Sequence, residues 1–280
     1  MIRYEEPVFR PPSEAYSLII QATIGCSYNR CEFCALYDSK DFRVRSEEDV
    51  FADLDWARRH YRRVEKIFLC DGDALCLSME RLCAILDRCR ELFPECRSVN
   101  VYGNAKDVLA KGADNLRTLY EKGVRIIYIG AESGSDRVLE YVNKGSTRDD
   151  MAQAIRLIES SGISASVTFI SGLGGREMLE EHAIESGKLV SETAPAYFSL
   201  LTLTLTPEMP LYAKARSGAF SPLGTAEVIR ETELFFENIE LPETVRCVFR
   251  SNHVSNALPL RGTLPADKGA ILATLEKYYR

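Results

Sequence analysis

The sequence lacks any apolar run of the roughly 18 residues that a membrane-spanning helix needs. Its opening residues, MIRYEEPVFRPPSEAY, also lack the apolar core of a signal peptide. Positive charge is not in excess, because the formal net charge is -6 and acidic and basic residues are interspersed. We therefore expect a cytoplasmic protein with no membrane partner, and the acidic balance disfavours a nucleic-acid partner.

No low-complexity linker divides the 280 residues, which favours one large α/β domain over two smaller ones. Hydrophobic residues make up 46% of the chain and charged residues 27%, as in ordinary globular proteins. The nine cysteines are odd in number and clustered, unlike a small disulfide framework. This cysteine usage indicates a reducing compartment.

Short apolar runs alternate with amphipathic helical segments along the chain. Strands are predicted at residues 16–24, 65–70, 98–102, 124–130, 163–170 and 197–205. Six such strand and helix units predict a parallel sheet with right-handed crossovers. Either a doubly wound open sheet or a barrel with six of the usual eight units fits this alternation.

Polar segments follow every predicted strand. In chain order these segments are GCSYNRCEFC, DGD, GN, ESGSD, SGLGG and TLTP. Functional groups of parallel α/β folds lie at the carboxyl ends of the strands, although Gly, Asp, Ser and Asn are also the residues that turns require. Because polar segments follow all six strands, we expect a functional site at this edge of the sheet rather than turns alone.

The loop after the first strand carries three cysteines, Cys26, Cys31 and Cys34, within nine residues. Buried thiols usually occur singly, so three on one short loop indicate ligands for a soft metal or a cluster. Three protein ligands leave one coordination position open, whereas a closed structural zinc site takes four. The histidine nearest in sequence, His60, falls on the first predicted helix, away from the loop.

This arrangement resembles the radical S-adenosylmethionine (radical SAM) superfamily, most strongly at Cys26, Cys31, Phe33 and Cys34. The segment ESGSDRVLEYVNKGST is similar to the branch that includes coproporphyrinogen oxidase-like and tRNA-modifying members. The first gap between cysteines is four residues here, whereas three is the commonest spacing in the family. We interpret this C-x4-C-x2-C loop as a subfamily mark.

The resemblance implies a partial (β/α)6 TIM-type barrel over residues 16–240 as the radical SAM core. An N-terminal arm would occupy residues 1–15, and a C-terminal extension, residues 241–280, would cover the barrel. It also implies a 4Fe-4S cluster on Cys26, Cys31 and Cys34. The cluster would reductively cleave S-adenosylmethionine to a 5'-deoxyadenosyl radical, which abstracts hydrogen from a substrate. The implied electron donor is a flavodoxin or a ferredoxin.

Further cofactor contacts are implied residue by residue. The resemblance places Phe33 and the backbone at Gly172 near the adenine, and Glu132 with Ser133 at the ribose hydroxyls. It also assigns Asp71, Gly72 and Asp73 to the methionine amino group, and groups Asn104 with the cofactor-binding residues. The alternatives are a structural turn for DGD, helix capping for Glu132 and Ser133, and a flexible lid for SGLGG.

Two regions offer weaker candidates for substrate contact. Arg43 lies between Lys40 and Arg45, a basic group that either binds an anion or forms a solvated turn. His253 and Asn256 lie in an irregular polar stretch, which either contacts substrate or packs as a hydrogen-bonded tail. The other cysteines are interpreted as structural thiols: Cys70, Cys76, Cys83, Cys89, Cys96 and Cys247.

Together these patterns predict a radical SAM enzyme whose reaction subclass is open among oxidoreductase, lyase and transferase, acting on a small molecule or a peptide. An iron–sulfur electron-transfer or sensor protein that never cleaves S-adenosylmethionine is the main alternative. It would leave Glu132 and the DGD and SGLGG segments without a role. A zinc-dependent barrel hydrolase is a third reading.

Overall fold

The structure is a computed structural model that describes residues 1–278. Its main sheet has eight strands in the order β1-β4-β5-β6-β7-β8-β9-β10. These strands are β1 (Leu18–Gln21), β4 (Lys66–Cys70), β5 (Ser98–Gly103), β6 (Val124–Glu132), β7 (Ser164–Ser171), β8 (Tyr197–Thr202), β9 (Cys247–Ser251) and β10 (Leu260–Leu264). A separate two-stranded sheet pairs β2 (Thr23–Ile24) with β3 (Arg43–Val44) in antiparallel fashion.

The helices are α1 (Glu47–His60), α2 (Met79–Leu92), α3 (Ala105–Glu121), α4 (Asp136–Tyr141), α5 (Arg148–Ser160), α6 (Leu179–Thr193), α7 (Pro210–Ser217), α8 (Thr225–Glu237) and α9 (Lys268–Glu276). Short polar side chains begin several of them. Ser46 caps α1 by accepting from the Asp49 N–H, and Ser135 caps α4 in the same way. The hydrophobic pattern did not indicate α7, although Pro210 at its start and Gly218 just past its end are typical boundary residues.

The chain divides into two compact units. The first contains Met1–Asn29, Leu36–Ile129 and Leu157–Ser164. Parallel pairing joins β1 to β4, β4 to β5 and β5 to β6 in this unit. On one sheet face Phe68, Tyr102 and Tyr128 make edge-to-face ring contacts. The buried Glu14 of the N-terminal arm accepts a hydrogen bond from Asn100 at 2.8 Å, which fixes the arm against that face.

The second unit contains Arg30–Ala35, Gly130–Arg156 and the chain from Ala165 onward. Strand β8 is parallel to both β7 and β9, whereas β10 is antiparallel to β9. Its core is rich in phenylalanine because α8 packs an aromatic face against the sheet. The rings in mutual contact are Phe169, Phe198, Phe235, Phe236 and Phe249.

The predicted α/β class is confirmed, since the six predicted strands are all present and every described pairing among them is parallel. The strand order begins at β1 and ends at β10, so within residues 1–278 the sheet is open, as in a partial barrel. The predicted C-terminal extension contributes β9 and β10 to this sheet. The domain boundaries at residues 15 and 240 stay predictions. Among the described helices, none is both long enough and apolar enough to cross a membrane.

Candidate functional site at the strand ends

In the first unit the residue before Cys26 is bonded to the end of β4. Gly25, at φ +74°, accepts a hydrogen bond from the Gly72 N–H at 3.1 Å. A Cβ atom on Gly72 would lie 2.7 Å from the Tyr37 ring and 3.0 Å from the Cys26 Cβ. Only a glycine at position 72 therefore lets the β4 edge approach Cys26 this closely.

Asp71 carries a buried ion pair beneath the cysteine loop. Its Oδ2 accepts from the Gly25 N–H at 3.1 Å and from the Lys40 ammonium at 2.8 Å. The Lys40 Nζ also donates to the Pro7 carbonyl at 2.6 Å, and the two charged side chains are only 1% and 0% exposed. One carboxylate is thus bonded to the residue that precedes Cys26 and to the lysine that follows the loop.

Asp73 forms a second polar cluster at the same edge. Its Oδ2 accepts from the Ser27 hydroxyl and, at 2.7 Å, from the Asn104 amide, while Asn104 also caps α3. The Asp73 Oδ1 is buried and has no hydrogen-bond partner among the described residues. Burial, followed by the neighbouring Asp107 carboxyl, raises the pKa of Asp73 to about 8. Both causes favour the protonated form of Asp73.

The three basic residues after the loop differ in their surroundings. Arg45 pairs with the buried Asp53 at 2.8 Å, and Lys40 pairs with Asp71, so neither belongs to a solvated turn. Arg43 is the exposed member, with 53% of its side chain accessible, and it pairs with Glu5. Substrate contact by Arg43 stays a prediction.

In the second unit the segment with Cys31 and Cys34 forms a tight turn held at its centre. The Cys34 N–H donates to the Cys31 carbonyl at 3.2 Å. Between them, the Glu32 N–H donates to the Val142 carbonyl, and the Glu32 carbonyl accepts from the Leu211 N–H, both at 2.9 Å. The ends of α4 and the start of α7 therefore fix the backbone of this turn.

Side chains hold the same turn. The Glu32 carboxylate pairs with Lys214 of α7 at 2.5 Å. Phe33 is buried, and Cys31 and Cys34 are partly buried against the same apolar cluster. That cluster consists of Phe33, Val138, Val142, Leu173, Met178, Leu211 and Phe220. The ring of Phe33 thus belongs to the core beside the two thiols.

The end of β6 carries an unusual backbone at Glu132. This residue adopts φ +64°, a conformation that is rare outside glycine, and its carboxylate pairs with Lys144 at 2.8 Å. A Cβ atom on Gly130 would lie 1.9 Å from the Glu132 Oε1, and one on Gly134 would lie 2.2 Å from the Glu185 carbonyl. The two glycines leave the room that the Glu132 carboxylate and the following turn occupy.

Behind Ser133 lies a histidine that the sequence analysis did not single out. His182 of α6 is buried, with its Nδ1 at 2.8 Å from the Ser133 Oγ and its Nε2 at 3.1 Å from the Ile170 carbonyl oxygen. Burial lowers the pKa of His182 to about 4. No local sequence signal marks this residue, because its partner Ser133 is 49 positions away.

A buried carboxyl group lies behind Gly172, which adopts φ +85°. Glu231 of α8 accepts from the Gly172 N–H at 2.7 Å through its Oε1. Its Oε2 is buried without a hydrogen-bond partner in the described part of the chain. Burial raises the pKa of Glu231 to about 8. The sequence gives no signal for this contact either, because 59 residues separate its partners.

The loop between β9 and β10 holds the last two predicted residues. The His253 Nδ1 lies 2.9 Å from the Ser255 Oγ, which in turn accepts from the Thr202 N–H at 3.2 Å. The Asn256 amide donates to the Leu200 carbonyl at 2.7 Å, and the Thr202 hydroxyl donates to the Asn256 Oδ1 at 2.9 Å. These bonds attach the loop to the end of β8, and a substrate role for His253 or Asn256 stays a prediction.

None of the nine cysteines forms a disulfide. Cys70, Cys89 and Cys247 are buried, and burial raises the thiol pKa of Cys70 and Cys89 above its ordinary value. Within residues 1–278, no three side chains of His, Cys, Asp or Glu are arranged to hold a single metal ion. A 4Fe-4S cluster does not require this, because each cysteine binds a different iron.

Comparisons with known proteins bear on the family and the fold of this chain. The family model described as Radical SAM superfamily matches residues 20–186. A coproporphyrinogen III oxidase from Escherichia coli, described as a radical SAM enzyme, has a similar fold, with a TM-score of 0.61 and 19% identity over 79% of this chain and 52% of that chain.

Two curated relatives are similar in sequence. An uncharacterized methyltransferase of Pyrococcus horikoshii is 27% identical over 164 residues, which is 55% of this chain and 32% of the relative. A tRNA-2-methylthio-N(6)-dimethylallyladenosine synthase of Chlorobium phaeobacteroides is 27% identical over 179 residues, or 61% of this chain and 38% of the relative. This chain therefore matches well under half the length of either curated relative.

Proposed function

The chain belongs to the radical SAM superfamily, and from this premise we propose that it is an enzyme that binds one 4Fe-4S cluster and S-adenosylmethionine. When bound, the cluster supplies the electron that cleaves S-adenosylmethionine to methionine and a 5'-deoxyadenosyl radical. Such a radical would abstract hydrogen from the substrate. The observation that carries this proposal is the loop of Cys26, Cys31 and Cys34 after the first strand of a parallel sheet.

The residues present fit such a cluster. Three thiols within nine residues supply soft ligands, and none of them is used in a disulfide. Gly72 lets the β4 edge approach Cys26, and the hydrogen-bonded turn at Glu32 holds Cys31 and Cys34. Three protein ligands leave one iron for the cofactor. The proposed ligands are therefore Cys26, Cys31 and Cys34.

Residues at the strand ends are proposed to bind S-adenosylmethionine. In the first unit the unpartnered oxygen of Asp73 and the Gly72 backbone would receive the methionine part, with Asn104 holding Asp73 in place. The Asp71 carboxylate is already paired with Lys40, so its part in this site is to fix the loop base.

In the second unit the Glu132 carboxylate and the Ser133 segment would accept hydrogen bonds from the ribose hydroxyls. Lys144 would orient the Glu132 carboxylate. The ring of Phe33 and the backbone at Gly172 would contact the adenine. A side chain at position 172 would have to adopt φ +85°, which favours glycine there.

The substrate is proposed to be a small molecule or a peptide, and the electron donor a flavodoxin or a ferredoxin. A reducing compartment such as the cytoplasm suits nine cysteines that form no disulfide. The reaction subclass stays open.

Anaerobic reconstitution tests the proposal. Protein with reconstituted cluster and a strong reductant should convert S-adenosylmethionine to 5'-deoxyadenosine, measured by chromatography. Cys31→Ala should lose the cluster, measured as iron per chain, whereas Cys83→Ala should retain it because Cys83 lies on α2, outside the loop. A cluster in the Cys31→Ala variant at the wild-type level would refute the ligand assignment.

The same preparation distinguishes the electron-transfer alternative. In a radical SAM enzyme the paramagnetic resonance spectrum of the reduced cluster should change on addition of S-adenosylmethionine, because the cofactor binds the open iron. A spectrum that ignores the cofactor, with no 5'-deoxyadenosine formed, would favour an electron-transfer or sensor protein.

A further inference from the structure

Two strand-end segments of the second unit accept support from buried side chains that have no role in the proposed function. Ser133 lies at hydrogen-bond distance from His182 of α6, and the Gly172 N–H donates to Glu231 of α8. The imidazole Nε2 and the Glu231 Oε1 are 3.8 Å apart, and both side chains are at most 4% exposed. The two contacts therefore form one buried network.

The hydrogen bonds fix the tautomer of His182. Its Nε2 lies 3.1 Å from the Ile170 carbonyl oxygen, which can only accept, so Nε2 carries the hydrogen. Nδ1 must then accept from the Ser133 hydroxyl at 2.8 Å. The Ser133 oxygen in turn accepts from the Ser135 N–H at 3.0 Å. Every polar group of the imidazole is therefore satisfied in the uncharged form.

The surroundings of Glu231 also favour an uncharged group. His182 lies 3.8 Å away, and its Nε2 hydrogen is already donated to Ile170. One carboxyl oxygen accepts from the Gly172 N–H, and the other is buried without a partner among residues 1–278. No lysine or arginine of the described residues pairs with it. A carboxyl group in such a place is neutral at pH 7 because burial disfavours its charged form.

The network lies beside one strained residue and one flexible residue. Glu132, next to Ser133, adopts φ +64°, which is costly for a residue with a side chain and persists where the surrounding structure holds it in place. Gly172 adopts φ +85°, which glycine reaches without strain, so a contact is needed to fix it there. The hydrogen bonds that His182 and Glu231 accept supply the restraint at the two segments.

We propose that His182 and Glu231 are positioning residues, an uncharged buried pair that fixes the Ser133 and Gly172 segments for the nucleoside of S-adenosylmethionine. The proposal rests on the proposed function, because that function assigns the ribose and the adenine to these segments. Neither side chain touches the cofactor in this scheme. His182 acts through the Ser133 hydroxyl, and Glu231 acts through the Gly172 N–H.

Two substitutions of Glu231 distinguish a positioning role from a role in packing alone. Glu231→Gln keeps an oxygen for the Gly172 N–H and has the shape of the uncharged acid. It should bind S-adenosylmethionine within about twofold of the wild type. Glu231→Leu keeps the bulk but removes the acceptor, and should weaken binding by about five- to tenfold. Equilibrium binding to the reconstituted protein measures both, with iron content as the check that the cluster is unchanged.

Glu233→Gln is the matched control. Glu233 lies two residues further along α8, is also buried, and pairs with Arg230. Its replacement changes an acidic residue of the same helix without touching Gly172. It should leave S-adenosylmethionine affinity unchanged.

Hydrogen exchange tests the network without any cofactor. In Glu231→Leu the peptide that covers residues 171–175 should exchange its amides about five- to tenfold faster, and the wild-type rate should be kept in Glu231→Gln. Nitrogen-15 spectra of labelled histidine should show His182 as the neutral tautomer with hydrogen on Nε2 at pH 7.

The outcomes are decisive in either direction. Wild-type exchange at residues 171–175 together with wild-type affinity in Glu231→Leu would overturn the proposal. If that variant does not fold, Glu231→Asp, which withdraws the carboxyl by one methylene, should show the same faster exchange and weaker binding, and its failure to do so would also overturn it. If the wild type itself binds no S-adenosylmethionine, the proposed function fails, while the exchange data still decide whether the network holds Gly172.

Discussion

The two units stabilise their strand ends with buried polar groups of opposite character. In the first, Asp71 and Lys40 form an ion pair with almost no exposure to solvent. In the second, His182 and Glu231 are uncharged, and each holds one backbone segment by a hydrogen bond. A buried ion pair depends on the presence of both charges, whereas an uncharged network depends on shape and on donor and acceptor positions. The two regions should therefore respond differently to the same kinds of substitution.

The largest effect should come from breaking the ion pair. Lys40→Met leaves the Asp71 carboxylate buried without its counter-charge, which should lower the free energy of unfolding by about 3–5 kcal/mol. Adding Asp71→Asn removes that charge and keeps an acceptor for the Gly25 N–H, so the double variant should recover part of the loss. Urea denaturation measures both variants.

Arg43→Met is the control for this comparison. Arg43 pairs with Glu5 on the surface, with 53% of its side chain exposed, so its replacement should change the free energy of unfolding far less than Lys40→Met does. If Lys40→Met costs no more than Arg43→Met, the Asp71 ion pair does not contribute the stability that its burial suggests.

The pH dependence of stability should differ between wild type and Glu231→Gln. Burial raises the pKa of Glu231 from 4.5 to about 8, so the folded state keeps a proton that the unfolded state releases above pH 4.5. Stability should therefore fall as pH rises from 4.5 to about 8, by about 1.4 kcal/mol for each pH unit between the two pKa values. Glu231→Gln should lack this contribution, as measured by urea denaturation at several pH values.

Two other buried groups also contribute to the dependence of stability on pH. Asp73, with a pKa raised to about 8, acts in the same direction and is unchanged in Glu231→Gln. His182, whose pKa is lowered from 6.5 to about 4, acts in the opposite direction, because stability is lost as pH falls through that range. The difference between the stability–pH profiles of the wild type and Glu231→Gln gives the contribution of Glu231. Parallel profiles would show that Glu231 has the same pKa in the folded and unfolded states.

Glycine substitutions should also affect the two units for different reasons. Gly72→Ala places a Cβ 2.7 Å from the Tyr37 ring and should cost about 1–3 kcal/mol through overpacking. Gly172→Ala meets no atom closer than 3.8 Å, but it must adopt φ +85°, at about 1 kcal/mol. Tyr37→Leu should relieve the first variant and leave the second unchanged, as measured by thermal unfolding. If Tyr37→Leu restored the stability of both alanine variants equally, contact with Tyr37 would not distinguish Gly72 from Gly172.

The smallest effect is expected at Lys214. Its pair with Glu32 is partly exposed, at 32% and 23% of the two side chains, so Lys214→Met should cost less than about 1 kcal/mol. The backbone bonds of Glu32 to Val142 and Leu211 do not involve the lysine and should persist. A loss of several kcal/mol in denaturation would show that the charge, rather than the backbone, holds the cysteine turn.

Local patterns were sufficient to predict most of the fold. The hydrophobic period and the length of the apolar runs indicated the six strands of the parallel sheet. The spacing of the three cysteines and the polar strand ends led to the family that the comparisons support. These features depend on residues that are neighbours in the chain.

The supporting residues of the site depend instead on long-range contacts. Lys40 can be read as part of a solvated turn until its contact with Asp71, 31 positions away, is known. His182 and Glu231 reach their partners across 49 and 59 residues. Nothing in the sequence near these side chains distinguishes a buried support from a surface charge, because burial is decided by the packing of whole helices.

The hydrogen bonding of Glu32 has a consequence for how the cysteine loop tolerates changes in length. The N–H and carbonyl of this residue are hydrogen-bonded and its carboxylate is ion-paired, so a residue inserted between Cys31 and Cys34 would break several contacts at once. The stretch 27–30, which includes Asn29 at φ +39°, lies outside this turn. A change of length on the Cys26 side would therefore leave the Glu32 contacts in place, and that is where this chain has four residues between cysteines instead of three.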